Sequence, residues 1–372
     1  MSVIIFIIIL SALIIVHEFG HFLVAKKFGI RVDEFGLGFP PRIKKLFTWK
    51  GTPFTLNWLP FGGFVKIFGE NPEESSQLGQ LGGLASKYLE ARPPSESFQS
   101  KNRAVQASVL VAGVVGNFLF AWFLISLGFI VGLPAPANLS LPVENPHTVI
   151  TTVLPATPAA IAGLKSGDVI LALSRDEVYS ELAPEAASLF IAESIEPITF
   201  IVERGKSIST KVIVPKEGIV TDRLAVGISM DVIGIAKLPP HKALWYGLKT
   251  TSEFTLLTGR AIIIFIAQAL GGVADISGLT GPVGIVGMVG DARELGFVYL
   301  LTFTALISIN LSIINLLPFP ALDGGRLFFI LIEVIIRKRI SSKVFNIVNT
   351  AGFALLILLM LIITIQDLRN IF

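Results

Sequence analysis

The stretch Ser2 to Ala25 constrains this chain more than any other. Val3 to Val16 is apolar except for Ser11, and Phe22 to Ala25 resume the run after a short polar break. As a helix it would be about 36 Å long at roughly 1.5 Å per residue, enough to cross a bilayer. Three further runs have the same character: Ala104 to Leu133, Phe297 to Leu317 and Val344 to Ile365. Charged residues make up only 15% of the chain and hydrophobic ones 52%, against about 25% charged in soluble domains. The sequence therefore predicts a polytopic α-helical membrane protein with about four transmembrane helices. A cleaved signal peptide is the alternative for the first run. It lacks a basic start, and His-Glu-Phe-Gly-His stands where a small-residue cleavage site belongs. Leu256 to Ala269 is apolar over only about 14 residues, a length that suits an interfacial segment better than a span.

Lysine and arginine set the expected orientation. Lys26, Lys27, Arg31, Arg42, Lys44, Lys45, Lys50, Lys101 and Arg103 lie between the first and second runs. Arg326, Arg337, Lys338, Arg339 and Lys343 lie between the third and fourth. Both loops should be cytoplasmic, and residues 134–295 and the termini should lie on the opposite side. The chain then divides into transmembrane helix 1 (1–28), a cytoplasmic loop (29–103), helix 2 (104–133), a linker and β-rich domain (134–236), an amphipathic interfacial region (237–295), helix 3 (296–325) and helix 4 with its tail (326–372).

Within the loop, Phe54, Leu56 and Trp58 alternate ahead of Phe61-Gly62-Gly63-Phe64, which predicts a β-hairpin over 52–68 turning at the glycines. It is too apolar for open water and should associate with the membrane. Residues 70–100 read as a polar loop with a short helix near Ala85 to Ala91. Beyond the extended connection Leu133 to Asn138, strands are expected at Val149–Leu154, Val169–Leu173, Ile198–Val202, Lys211–Val214 and Ala225–Ile228, with a helix at Pro184–Ala192.

The chemistry sits in the first run. His17 and His21 are four residues apart, so a helix places them one above the other on one face, where each can give a ring nitrogen to one zinc ion. Glu18 lies beside the first of them, positioned to take a proton from metal-polarised water and pass it to a leaving amine. The motif is common by chance, but ionisable residues inside a spanning helix are costly and usually serve function. The bland alternative is a His/Glu group facing a bundle interior for packing or ion transport. With no cysteine in the chain and only four histidines, a third ligand must be a carboxylate, His147 or His241. Both histidines fall in the predicted far-side region. Asp323 is preferred, because Pro318, Pro320, Gly324 and Gly325 break the helix around it and broken backbone at membrane depth lines polar cavities. A loop aspartate capping the next helix is the competing reading.

These residues resemble the site-2 protease family of intramembrane metalloproteases, in its RseP-like (regulator of sigma-E protease) bacterial branch. The resemblance is carried by His17-Glu-Phe-Gly-His21, Pro60-Phe-Gly-Gly-Phe-Val-Lys66, Ala112-Gly-Val-Val-Gly-Asn-Phe118, Gly281-Pro-Val-Gly284 and Asn315-Leu-Leu-Pro-Phe-Pro-Ala-Leu-Asp-Gly-Gly325, in the family's order. It implies that His17, His21 and Asp323 bind zinc, that Glu18 is the general base, and that the hairpin, with Gly62 and Gly63, offers an edge to an unwound substrate strand. It implies a substrate-holding role for Asn315, for which capping of broken backbone is the alternative. At Asn117, close helix packing through Gly113 explains the motif without a catalytic role. Ala162-Gly163-Leu-Lys-Ser-Gly167-Asp168-Val-Ile170 is similar to a PDZ signature, so the β-rich domain should be one inserted PDZ-like domain, which either binds peptide or restricts access. Relatives with tandem PDZ domains need more room than 148–236 provides, and the family's Ala-Gly-Pro reads Ala112-Gly113-Val114 here.

The expected activity is zinc-dependent hydrolysis of peptide bonds within or near transmembrane segments of single-pass membrane proteins, such as anti-sigma factors or remnant signal peptides. A catalytically inactive membrane-anchored PDZ adaptor is the alternative, and a transporter is disfavoured by the lack of paired repeats. The lipid bilayer is an expected partner. Nucleic acid is not, since the net charge is only +3 and no basic stripe is interleaved with aromatics.

Overall fold

A computed structural model of the protein describes residues 1–70, 94–137, 142–205, 207–220, 223–273 and 280–371. The helix expected near Ala85 to Ala91 lies outside the described residues. The chain forms two compact units, one of residues 1–126, 244–294 and 300–372 and the other of residues 127–243 and 295–299.

The first unit is helical with one β-hairpin. Helix α1 (Ser2–Lys27) runs antiparallel to α2 (Arg103–Val131). Val109 lies beside His21, Gly113 beside both histidines and Gly116 beside Val16. Small residues allow this approach: a Cβ on Gly20 would collide with the Ala112 carbonyl oxygen, and one on Gly116 would stand 3.0 Å from the Val16 oxygen. In apolar surroundings such packing, rather than water exclusion, holds helices together.

Between these helices the chain makes a curled hairpin that differs from the expected one. Its strands are β1 (Val32–Trp49) and β2 (Thr52–Ile67), so it begins some twenty residues before the predicted 52–68 span. The turn is Lys50-Gly51, with φ of 49° and 77°, the two positive values that a two-residue hairpin turn needs. Gly62 and Gly63 lie inside β2. There the sheet curls back: Phe35, Gly36 and Leu37 each pair twice, with Phe54, Thr55 and Leu56 and with Val65, Phe64 and Gly63. A short-range alternation signal cannot register that second pairing. Phe22, Phe35, Phe54, Ile67, Val109 and Leu110 bury the joint between hairpin, α1 and α2.

The second unit carries the sheet order β3-β11-β4-β5-β7-β8. Its strands are β3 (Leu133–Pro136), β4 (Glu144–Val153), β5 (Val169–Arg175), β6 (Val178–Tyr179, paired to β5), β7 (Ile198–Arg204), β8 (Ser207–Ile213) and β11 (Ile228–Ala236). The pair β9 (Lys216–Val220) and β10 (Arg223–Ala225) stands apart. Helices α3 (Pro158–Ile161) and α4 (Pro184–Ala192) send Ala159, Ala187 and Ile191 into a core with Ile150, Ile170, Phe200 and Val202. Two expectations change. The supposed linker at 133–138 begins as β3, which pairs with β11 and tolerates its prolines because it is a sheet edge. The strand expected at Ala225–Ile228 is interrupted at Gly227, φ 89° and hard against Thr157.

Helix α5 (Pro240–Leu270) and α6 (Pro282–Leu295) follow. The apolar stretch read as 256–269 is thus the second half of a 31-residue helix. With α1, α2, α7 (Phe297–Leu316) and α9 (Ser342–Ile371) it makes five helices long and apolar enough to cross a membrane. The polar first half of α5, with Lys249, Thr250, Thr251, Ser252 and Glu253, conceals its continuity from an apolar-run reading. Helix α7 packs antiparallel to α2, with Ser308 and Ser312 Oγ donating to the carbonyls of Asn117 and Val114 at 2.7 and 3.0 Å. The break at 317–322 leads to α8 (Asp323–Ile336).

Candidate metal centre

Helix α1 presents His17 and His21 on the face that meets α2 and α8, and both rings are buried. Their spacing does what the helical period requires: the two Nε2 atoms are 3.2 Å apart. Across from them, the Asp323 carboxylate places Oδ2 2.9 Å from His17 Nε2 and 3.2 Å from His21 Nε2. Four-coordinate zinc holds nitrogen and oxygen at about 2.0–2.2 Å, so adjacent tetrahedral ligands stand about 3.3 Å apart. The three donors already lie within a few tenths of an ångström of that, and among the described residues no other group of three His, Asp or Glu converges in this way. Two imidazoles with one carboxylate and an open side is the donor chemistry of a catalytic rather than a structural zinc site.

The remainder of the centre explains why Asp323 arrives there. Ala321 has φ 75°, and its N–H donates to Asn349 Oδ1 on α9 at 2.7 Å. A Cβ on Gly324 or Gly325 would strike the carbonyls of Leu316, Leu317 or Phe319. Only glycine lets the chain fold back this tightly, so that Asp323 enters the first turn of α8. Leu322 is the N-cap residue, and the Asp323 carboxylate faces the histidines rather than capping its own helix. Ala321 lies within the quoted Asn315–Gly325 motif, but its partner Asn349 carries no motif and escaped sequence reasoning.

Glu18 is half-buried, and its Oε2 accepts a 3.0 Å hydrogen bond from the Val65 N–H of β2. The hairpin is pinned to α1 nearby: Ser11 Oγ donates to the Pro60 carbonyl at 2.7 Å and receives the Gly62 N–H at 3.3 Å. Gly62 and Gly63 have packing reasons to be glycine, since a Cβ on the first would collide with Ile14 and one on the second would stand 2.8 Å from the Gly36 oxygen. Asn315 sits in the last turn of α7, half-buried, and its side chain makes no hydrogen bond among the described residues. His147, on β4, and His241, at the start of α5, are exposed and belong to the second unit. Gly113 faces not only the α1 backbone but the rings of His17 and His21 themselves, a role that the glycine pattern alone did not signal.

Comparison with known proteins places these residues in a recognised sequence family. The model of Peptidase family M50 matches residues 5–359. Zinc metalloprotease RasP of Geobacillus kaustophilus is 30% identical, the alignment covering 100% of this chain and 98% of that protein. A relative from Clostridium perfringens is 34% identical with 96% of each chain covered. RasP of Oceanobacillus iheyensis is 28% identical over 100% of this chain and 99% of its own.

Proposed function

The chain belongs to Peptidase family M50, and from that membership we propose that it is an intramembrane zinc metalloprotease of the site-2 type. The observation that carries the reading is the meeting of His17, His21 and Asp323 from two helices, with Glu18 one residue from the first donor. An adaptor has no use for that convergence.

His17, His21 and Asp323 would hold the metal. Bound zinc supplies Lewis acidity, which polarises a scissile carbonyl and acidifies water. Glu18 takes the proton from the attacking water and returns it to the leaving amine nitrogen. A transmembrane helix hides its carbonyls in hydrogen bonds, so the substrate must unwind first. An unwound segment would add as a strand to the β2 edge, near Gly62 and Gly63, with Asn315 holding its backbone. The Val65 N–H that now binds Glu18 is then taken by the substrate, and the carboxylate is released where its base function is needed. Single-pass membrane proteins are the substrate class.

The positive loops support placing the centre in the cytoplasmic half of a bacterial inner membrane, with the unit at 134–236, read as PDZ-like, outside. They also support four spans with α5 interfacial. Gly281 and Gly284 N–H of the following α6 segment donate to Asp367, near the end of α9, at 3.1 and 2.9 Å, and Gly290 lies beside Ser2 at the start of α1. Trp122, near the end of α2, donates to the Leu244 carbonyl at the start of α5. All three places are expected at the outer face, so α5 both starts there and leads back there.

The test is Glu18→Gln in the full-length protein with a single-pass reporter substrate. Cleavage should vanish while zinc content stays stoichiometric. Cleavage at the unaltered rate would refute the assignment.

A further inference from the structure

We infer that Asn117 is a positioning residue that fixes the ring tautomer of His17 for metal binding, its side-chain oxygen accepting the His17 Nδ1 proton. This rests on the metal-centre reading above.

A histidine that ligates through Nε2 must carry its proton on Nδ1, and that proton needs an acceptor, which also holds the ring in plane with the metal. For His21 the acceptor is plain: Nδ1 lies 2.7 Å from the Val109 carbonyl. For His17 the one hydrogen-bonding neighbour of Nδ1 among the described residues is the Asn117 side-chain amide, at 3.4 Å. Asn117 is fully buried, and its Oδ1 has no partner while its nitrogen points at the ring. Amide oxygen and nitrogen are alike in shape, and their assignment follows the hydrogen-bond network around them.

That network has two self-consistent states. With His17 Nε2–H donating to Asp323 Oδ2, Nδ1 accepts from the amide nitrogen and Oδ1 is left over. With the Nε2 lone pair given to a cation, the proton moves to Nδ1. Turning the amide through 180° then brings Oδ1 to the same place and ends its isolation. The Asn117 backbone is tied down meanwhile, its carbonyl accepting from Ser308 Oγ at 2.7 Å, so the switch involves the amide and not the helix. Among the described residues no other side chain serves the ring in this way, and Gly113, one turn earlier, keeps the space beside it open.

The experiment compares detergent-purified full-length wild type, Asn117→Leu and Asn117→Asp by zinc titration of the metal-stripped protein against a chelator, with the visible spectrum of the cobalt-substituted form as a second readout. Leucine keeps the volume and removes the acceptor; aspartate is an acceptor at both oxygens. N117L should bind zinc about 10–100-fold more weakly with an altered cobalt spectrum. N117D should bind at least as tightly as wild type, with an unaltered spectrum. The inference is overturned if N117L binds within twofold of wild type, or if folded N117D binds tenfold more weakly. Should N117L not fold, the N117D arm alone decides. Absence of zinc binding by wild type would instead overturn the metal-centre reading, and this inference with it.

Discussion

Gly113→Ala adds one methyl group to the centre of the site, and the structure fixes what it meets. Its Cβ would lie 2.7 Å from Cε1 of His17 and of His21, where carbon atoms in contact stand about 3.5–4.0 Å apart. About 1 Å must be found. The helices cannot supply it cheaply, because Gly20 and Gly116 hold the α1 and α2 backbones together on either side. The rings must therefore turn, whereas a zinc site tolerates displacements of only about 0.2 Å. Overpacking of this kind costs about 1–3 kcal/mol, which at a factor of ten per 1.4 kcal/mol is about 5- to 150-fold in zinc affinity if it falls on the ligands. Alanine also gains up to about 1 kcal/mol over glycine in helix propensity, so overall stability should barely change. The expected result is a weakened zinc titration with an almost unaltered melting temperature. Gly259→Ala on α5, with nothing within 4 Å of its Cβ, is the control: zinc affinity should be unchanged, and the melting temperature should rise slightly from the uncompensated gain in helix propensity. A G113A protein that binds zinc as tightly as wild type would refute the reasoning.

Asp323→Asn removes the anionic donor and should strip zinc to substoichiometric levels by metal analysis while the helical circular dichroism persists. Treatment with a strong chelator should abolish cleavage of a reporter substrate, and added zinc should restore it. Ser11→Ala removes both side-chain links from α1 to Pro60 and Gly62, about 1 kcal/mol of net hydrogen bonding; KM for the reporter should rise severalfold. In the second unit, Arg204 holds the wholly buried Asp168 through Nε at 2.6 Å and NH2 at 2.7 Å. Arg204→Leu leaves that carboxylate unpaired and should lower the unit's stability by about 3 kcal/mol, read as a drop in melting temperature with zinc binding unaffected.

Elements decided by local pattern were legible from the residues. The apolar run around His17 could only be a helix, and a helix puts His17 and His21 together whatever else the chain does. Pro184–Ala192 reads as a helix and is one. The hairpin is the counter-example. Its turn lies at Lys50-Gly51, and the conspicuous Gly62-Gly63 pair is where β2 bends back to meet β1 a second time. An apolar run registers only the second half of helix α5, because its first half is polar.

By itself the sequence determined that the chain carries long apolar helices and that His17 and His21 share one helix face, because these depend on composition and on a period of 3.6 residues. It nominated Asp323 through the prolines and glycines around it. Only the tertiary structure decided that this carboxylate meets both rings. That contact spans 306 residues and depends on the Asn349 bond to Ala321, the crowded Gly324-Gly325 fold and the close approach of α1 to α2. The tertiary structure alone also set Val65 against Glu18 and Asn117 against His17. Such partners are chosen by where helices and strands cross, and no local period or motif encodes a crossing.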